Sequence, residues 1–148
     1  MRARTRHELA DALRRRKIPE DAAEAVLERM TEVGLVNDEE FARSWVDSRQ
    51  QRRQLSRMGL RRELQRKGVD RDVVEEALGD VTAEDERAAA RALVERRLRS
   101  MRGLDWSVRR RRLAGALARR GFSGEVTAAV LHEVAEGHEG DDSSLELP

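Results

Sequence analysis

The sequence predicts an all-α protein built from tandem three-helix repeats, and three observations support this prediction. Residues that favour helices dominate the composition: 40% of residues are charged, 3% are aromatic, and Tyr and Cys are absent. Apolar residues recur with the spacing of a helix rather than that of a strand. One pattern of leucines and basic residues also occurs three times, which indicates an elongated, curved array of repeats around a continuous core.

The repeated pattern reads Leu-x-x-x-Leu-x-basic-basic-x-apolar, and it occurs in residues 7–18, 58–69 and 111–122. In each copy a second amphipathic helix follows, and its apolar residues share one face because they are spaced i, i+1, i+4. These residues are Val26, Leu27 and Met30 in the first copy, Ala77, Leu78 and Val81 in the second, and Val130, Leu131 and Val134 in the third. Each repeat therefore begins with two short helices.

The turn between these two helices has its own sequence signal. Gly68 and Gly121 stand where a Schellman cap needs a left-handed residue, followed by an apolar residue that can fold back onto the helix. Asp70 and Ser123 are predicted to cap the next helix. Lys17 replaces the glycine in the first copy, so that turn must accept about 1 kcal/mol of left-handed strain or close differently.

A third helix is predicted in the first two repeats. Asn37 with Glu40, and Thr82 with Asp85, have the spacing of helix caps. The apolar stripe of this helix is predicted to be Phe41, Ala42, Trp45 and Val46 in the first repeat, and Ala89, Ala90, Leu93 and Val94 in the second.

The predicted organisation is repeat 1 in residues 1–49, repeat 2 in 50–103 and a partly degenerate repeat 3 in 104–137. The last helix is expected to run from Gly124 to about Glu136. Residues 138–148 are rich in Asp, Glu, Gly and Ser, which predicts a disordered acidic tail.

Composition and motifs exclude several classes of function. No stretch approaches the roughly 20 apolar residues of a membrane span, and no signal-peptide core follows the N-terminus. We therefore expect a cytoplasmic protein and, without cysteine, neither disulfides nor thiolate metal sites. There is no P-loop, dinucleotide turn or zinc-protease motif, so we expect no enzymatic activity and no cofactor.

The net charge of +1 hides an uneven distribution of charge, because basic and acidic helices alternate along the chain. The dense, acid-poor arginine clusters predict a surface for a polyanion or an acidic protein. The candidate partner- or DNA-binding residues are Arg52, Arg53, Arg57, Arg61, Arg62, Arg66, Lys67, Arg109, Arg110, Arg112, Arg119 and Arg120. The alternative is that these side chains only balance the acids of neighbouring helices.

Base stacking is not expected to contribute to binding. Phe41, Trp45 and Phe122 occupy core-like positions, which leaves no aromatic platform for single-stranded bases. Contacts to nucleic acid should therefore be made to phosphates, independently of sequence and with a strong dependence on salt.

The motifs in residues 34–49 and 60–70 resemble those of the RecX family of bacterial recombination regulators. The first reads Gly-Leu-x-Asn/Asp-Asp-x-x-Phe-Ala-x-x-aromatic-x-x-x-Arg, and the second Leu-x-x-Glu-Leu-x-x-Lys-Gly-apolar. With a weaker third copy, the resemblance covers about Thr5 to Glu136. The Arg- and Ala-rich composition is typical of an actinobacterial member.

The resemblance implies a regulator without enzymatic activity that binds the RecA recombinase filament on single-stranded DNA. It also implies inhibition of filament growth and of the ATPase, strand-exchange and coprotease activities of RecA. We expect a monomer. Members of the family usually carry an apolar helical segment before the position of Thr5, so we expect that the first repeat is truncated or that its start is misassigned. Two alternatives remain open, namely a stand-alone helix-turn-helix DNA-binding protein and an adaptor for another acidic protein.

Overall fold

The structure is a computed structural model that describes the backbone of residues 3–144 and the side chains of residues 3–50 and 54–137. This part of the chain contains eight α-helices and no strand, which confirms the all-α prediction. The helices are α1 (Arg6–Arg15), α2 (Glu20–Glu32), α3 (Asp38–Arg53), α4 (Arg57–Arg66), α5 (Arg71–Leu78), α6 (Ala83–Leu98), α7 (Trp106–Arg119) and α8 (Gly124–Ser144). None of these eight combines the length and the apolar character that a membrane span requires.

The helices form two compact units. The first unit contains the chain up to Arg49 together with Leu60–Asp80, and the second contains Gln50–Gly59 together with the chain from Val81 onward. Both α3 and α4 therefore contribute residues to each unit.

The turn after the first helix of each repeat has the same geometry in all three copies. The N–H of the apolar residue donates to the carbonyl of the leucine five positions before it, at 3.1 Å in every copy: Ile18 to Leu13, Val69 to Leu64 and Phe122 to Leu117. Gly68 and Gly121 have φ of +77° and +89°, as a Schellman cap requires. Lys17 has φ of +58°, so the first copy keeps the same turn and accepts the strain.

Gly68 has a second reason to lack a side chain. A Cβ atom at this position would overlap the imidazole of His7, which lies against the turn from α1. The glycine therefore permits both the left-handed backbone and the close approach of the preceding repeat.

The predicted apolar faces are confirmed in two of the three copies. Ala77, Leu78 and Val81 are buried, as are Val130 and Leu131. Val134 is partly buried against the core of the second unit.

The first copy departs from the predicted pattern. Leu27 is buried, but Val26 is 43% exposed, so the prediction that it faces the core is wrong. Adjacent residues are about 100° apart around a helix, and α2 is covered only along the stripe that contains Leu27.

Most of the predicted caps are present. Thr82 and Asp85 form a reciprocal capping box, Asn37 Oδ1 accepts the N–H of Glu40 at 3.1 Å, and Ser123 Oγ accepts the N–H of Val126 at 3.2 Å. Asp70 occupies the N-cap position of α5, but its side chain makes no cap hydrogen bond. Because Asp70 is exposed, water can satisfy the first N–H groups of α5 in its place.

Two buried hydroxyl groups join consecutive repeats, a contact that the sequence patterns do not predict. Thr5 and Ser56 are the buried polar residues among the described side chains, at 0% and 2% exposure. Each hydroxyl accepts an N–H at the start of its own helix, from Glu8 at 3.1 Å and from Gly59 at 3.0 Å. Each is thereby an N-cap, of α1 and of α4 respectively.

The same hydroxyls also donate to the end of the first helix in the next repeat. Thr5 Oγ1 donates to the Lys67 carbonyl at 2.7 Å, and Ser56 Oγ donates to the Arg120 carbonyl at 3.2 Å. One bond links the positive N-terminal end of α1 to the negative C-terminal end of α4, and the other links α4 to α7 in the same way. This is the favourable orientation of the helix dipoles. One such junction lies in each compact unit.

Helix α8 runs to Ser144, beyond the end predicted near Glu136. Once a helix has formed, each added residue gains one hydrogen bond without a new nucleation cost. The helix can therefore continue through the glycines and acids of this segment. The backbone of residues 138–144 is helical, so the prediction of a disordered tail is wrong for this stretch. Residues 145–148 lie outside the described residues, and there the disordered tail stays a prediction.

Replacing Ser56 with Ala should lower the free energy of unfolding by roughly 1–3 kcal/mol. The substitution removes the cap and leaves the buried N–H of Gly59 and carbonyl of Arg120 without this partner. Urea denaturation followed by circular dichroism measures the change. Ser100→Ala is the control, because that exposed hydroxyl bonds only to Arg97 O within its own turn and should matter by less than about 0.5 kcal/mol. Equal effects of the two substitutions would contradict a special role for Ser56.

Replacing Gly121 with Ala should destabilise the protein more than replacing Gly103 with Ala. Both glycines have positive φ, +89° and +84°, so each substitution introduces about 1–2 kcal/mol of left-handed strain. Only at Gly121 would the new Cβ meet neighbours, Ser56 Oγ at 2.7 Å and Gly59 N at 2.9 Å. Overpacking adds roughly 1–3 kcal/mol, which thermal denaturation of the two variants resolves.

Candidate partner-binding site

Helix α7 presents the more open of the two predicted arginine surfaces. It contains no acidic residue, and Arg110, Arg112 and Arg119 are exposed. None of these three belongs to an ion pair within the described residues. Arg112 and Arg119 lie on the same face because seven residues make close to two helical turns. Arg109 is half-buried and donates from Nε to the Leu104 carbonyl at 2.8 Å.

Two of the predicted basic residues near α4 are held by acids of the same unit. Arg61 forms a two-pronged contact with Glu75, with Nε–Oε1 at 2.6 Å and Nη2–Oε2 at 3.1 Å. Lys67 Nζ lies 3.3 Å from Glu8 Oε2. For Arg61 and Lys67 the structure therefore favours the alternative, that these basic side chains balance the acids of neighbouring helices.

The remaining predicted residues fall into three groups. Arg62 and Arg66 are exposed, one helical turn apart on α4, whereas Arg57 and Arg120 are half-buried. The side chains of Arg52 and Arg53 lie outside the described residues.

One exposed arginine recurs two residues before the left-handed residue of every repeat turn. These arginines are Arg15, Arg66 and Arg119, and none has an acidic partner among the described residues. A cation at this point interacts favourably with the negative end of the helix, by about 0.3–1 kcal/mol. Arg15 is not among the candidate residues predicted from the sequence, although the repeat alignment places it with the other two.

The first unit also contains an open cleft of about 1130 Å³. Its walls come from α1, α3, the end of α4 and the turn before α3. Phe41 and Trp45 line the cleft side by side, with ring centroids 5.6 Å apart and an interplanar angle of 17°.

Trp45 is the centre of a polar cluster in this cleft. Its Nε1 donates to Glu63 Oε2 at 2.7 Å. The guanidinium of Arg49 lies 4.2 Å and the ammonium of Lys67 4.5 Å from the ring centroid, and each cation–π contact contributes about 0.5–2 kcal/mol. Arg49 Nε also lies 3.8 Å from Glu63 Oε2, so this carboxylate faces two donors.

The prediction that Phe41 and Trp45 belong to the core is wrong, whereas Phe122 is buried as predicted. Helix α3 turns Ala42 and Val46 fully inward, at 0% and 4% exposure. Phe41 and Trp45 each lie one position away, about 100° around the helix, and so reach the cleft.

The described histidines make pairs within single helices. His7 Nε2 lies 3.3 Å from Asp11 Oδ2, and His132 Nε2 lies 3.1 Å from Glu136 Oε1, both at i, i+4 spacing. Within the described residues, no three His, Cys, Asp or Glu side chains converge into a metal-binding group.

Three family models match the chain in succession. Their descriptions are the first, second and third three-helix domains of RecX, and they match residues 1–30, 37–78 and 84–131. The second of these domains spans α3 to α5, so it begins one helix earlier than the predicted repeat 2, with the same periodicity.

Individual relatives agree with these matches. The chain is 51% identical over 140 residues to the regulatory protein RecX of Streptomyces lividans, covering 95% of this chain and 74% of that protein. It is 50% identical over 145 residues to the regulatory protein RecX of Thermobifida fusca, covering 97% and 78%. The crystal structure of RecX from Lactobacillus salivarius has the same fold, with a TM-score of 0.78 at 23% identity over 90% of this chain and 87% of that one. The chain therefore belongs to the RecX family of regulatory proteins.

Proposed function

We propose that this protein binds the RecA recombinase filament on single-stranded DNA and inhibits filament growth, ATPase, strand exchange and coprotease activity. It acts in the cytoplasm as a monomer and catalyses no reaction of its own. Membership of a family of regulatory proteins supports this role.

The observation that carries the proposal is the recurrence of an exposed arginine, at Arg15, Arg66 and Arg119, in the same turn of each repeat. A recombinase filament presents identical subunits and phosphates at regular intervals. A protein that repeats the same cation can therefore engage several equivalent acidic or phosphate groups at once, which raises affinity beyond that of one contact.

The acid-free face of α7 is suited to phosphates rather than to bases. Arg110, Arg112 and Arg119 lose little pairing energy on binding because no acid of the described residues holds them. Such contacts read no sequence and weaken steeply with salt.

Reversing Arg110, Arg112 and Arg119 together to Glu should raise the concentration needed for half-inhibition of RecA ATPase on single-stranded DNA by roughly tenfold or more. The loss of about 1.4 kcal/mol or more follows from replacing three attractive contacts by repulsive ones. The slope of log affinity for single-stranded DNA against log salt should fall by about 2, since each lost phosphate contact accounts for about 0.7.

The matched control reverses Arg87, Arg96 and Arg99, which are exposed and lie outside the predicted surface, and it changes the net charge equally. Inhibition that survives in the α7 variant, or that is lost equally in both variants, contradicts the proposed site. A sequence-specific footprint on duplex DNA without recombinase would favour the helix-turn-helix alternative instead.

A further inference from the structure

The cleft of the first unit has the size of a peptide-binding groove. Its volume of about 1130 Å³ exceeds the roughly 300–1,000 Å³ of typical small-molecule pockets. It is bounded by helices on several sides, so an extended or helical segment could lie along it in contact with α1 and α3.

The acids of this cleft are mostly neutralised. Glu8, Asp11 and Glu63 have cationic partners with N–O distances of 3.3, 3.2 and 3.8 Å. Glu40 is the fourth lining carboxylate, and it has no ion pair within the described residues. The carboxylates thus contribute one uncompensated negative charge.

The cations of the cleft outnumber the acids that could hold them. Arg4, Arg15 and Arg66 line the cleft, are exposed and have no acidic partner among the described residues. Three uncompensated positive charges therefore face one negative charge, which makes an acidic occupant electrostatically complementary.

A large apolar side chain, that of Leu35, is exposed at the same cleft. Leu35 is 72% exposed, the highest value among the large apolar side chains that the structure describes, and both Leu35 and Phe41 line the cleft. An exposed leucine can bury apolar surface against a protein side chain, but it offers nothing to a phosphate.

The aromatic rings do not favour a nucleic acid. Arg49 and Lys67 lie over the Trp45 ring, Phe41 stacks beside it and Glu63 accepts its N–H. A base would have to displace these contacts, so the observations favour a polypeptide over a single strand.

The fold itself does not require a polar cluster at this place. In the repeat alignment Phe41, Trp45 and Glu63 correspond to Ala89, Leu93 and Ala116. Those three residues are buried in the second unit, at 6%, 0% and 3% exposure. The same helical arrangement can therefore form a core from apolar side chains. Packing of the helices does not explain why the first unit has a polar cleft at this position.

We propose that this cleft docks an acidic polypeptide segment that carries an exposed apolar side chain. The acids of the segment pair with Arg4, Arg15 and Arg66, and its apolar side chain packs against Leu35. The inference rests on the proposed function only for the identity of the partner, which would then be the recombinase.

The direct test titrates the full chain with a synthetic helix-forming peptide of glutamates that carries leucines one helical turn apart. In a Trp106→Phe background the tryptophan fluorescence reports on Trp45 alone, since the chain contains two tryptophans. The peptide should change this signal saturably. Versions with Gln for Glu, or with Ser for Leu, should bind at least about tenfold more weakly, because each lacks one half of the recognition.

Leu35→Ser and Arg15→Glu should each weaken peptide binding several-fold, and both residues are exposed, so the fold should tolerate the changes. Val33→Ser and Arg43→Glu are the matched controls, since these residues are exposed but do not line the cleft. No change in Trp45 fluorescence on adding the peptide, or equal binding by cleft and control variants, would overturn the proposal. Competition by oligothymidylate at the same site would assign the cleft to nucleic acid and would also overturn it.

The recombinase assay separates this inference from the proposed function. If the wild-type protein inhibits RecA ATPase, the Leu35→Ser/Arg4→Glu variant should inhibit several-fold less while keeping its affinity for single-stranded DNA, because neither residue belongs to the repeated arginines of the proposed function. Full inhibition by this variant refutes the cleft as the docking site and leaves the proposed function standing. Absence of inhibition by the wild-type protein refutes the proposed function, whereas peptide binding at the cleft would still support an acidic polypeptide as its occupant.

Discussion

The hydrogen bond from a buried N-cap hydroxyl to the helix end of the next repeat is the contact on which the tandem arrangement depends. Thr5 and Ser56 each satisfy two helix ends at once, an N–H at the start of one helix and a carbonyl at the end of another. Such groups are costly to bury without a partner. The junction therefore fixes how closely consecutive repeats approach, and the glycine turns beside it provide the necessary space.

This junction also determines where the repeated charge is presented. The carbonyls that accept the hydroxyls belong to Lys67 and Arg120, so their neighbours Arg66 and Arg119 are held at the end of a fixed helix while their side chains reach solvent. Other basic residues stabilise the fold instead, as the contact of Arg61 with Glu75 illustrates. Pairing rather than the number of arginines thus distinguishes exposed cations from those that take part in an internal charge balance.

The two units have different side chains at equivalent positions of the same helical arrangement. In the second unit the residues equivalent to Trp45 and Glu63 are apolar and form part of the core. In the first unit the half-buried ring of Trp45 is held at the cleft by Arg49, Lys67 and a hydrogen bond to Glu63. An open, positively charged cleft results, at a position where the repeat pattern alone would predict further core.

The sequence by itself determined the helices, the two glycine Schellman turns and most of the caps, because these features depend on residues within a few positions of one another. The strained turn at Lys17 was among the predicted outcomes for the same reason. Only the tertiary structure decided which arginines are held by acids, that Val26 and Trp45 lie outside the core, and that Thr5 reaches Lys67. Thr5 and Lys67 are 62 positions apart, and their contact depends on which helix faces meet, information that a local period of apolar residues does not contain.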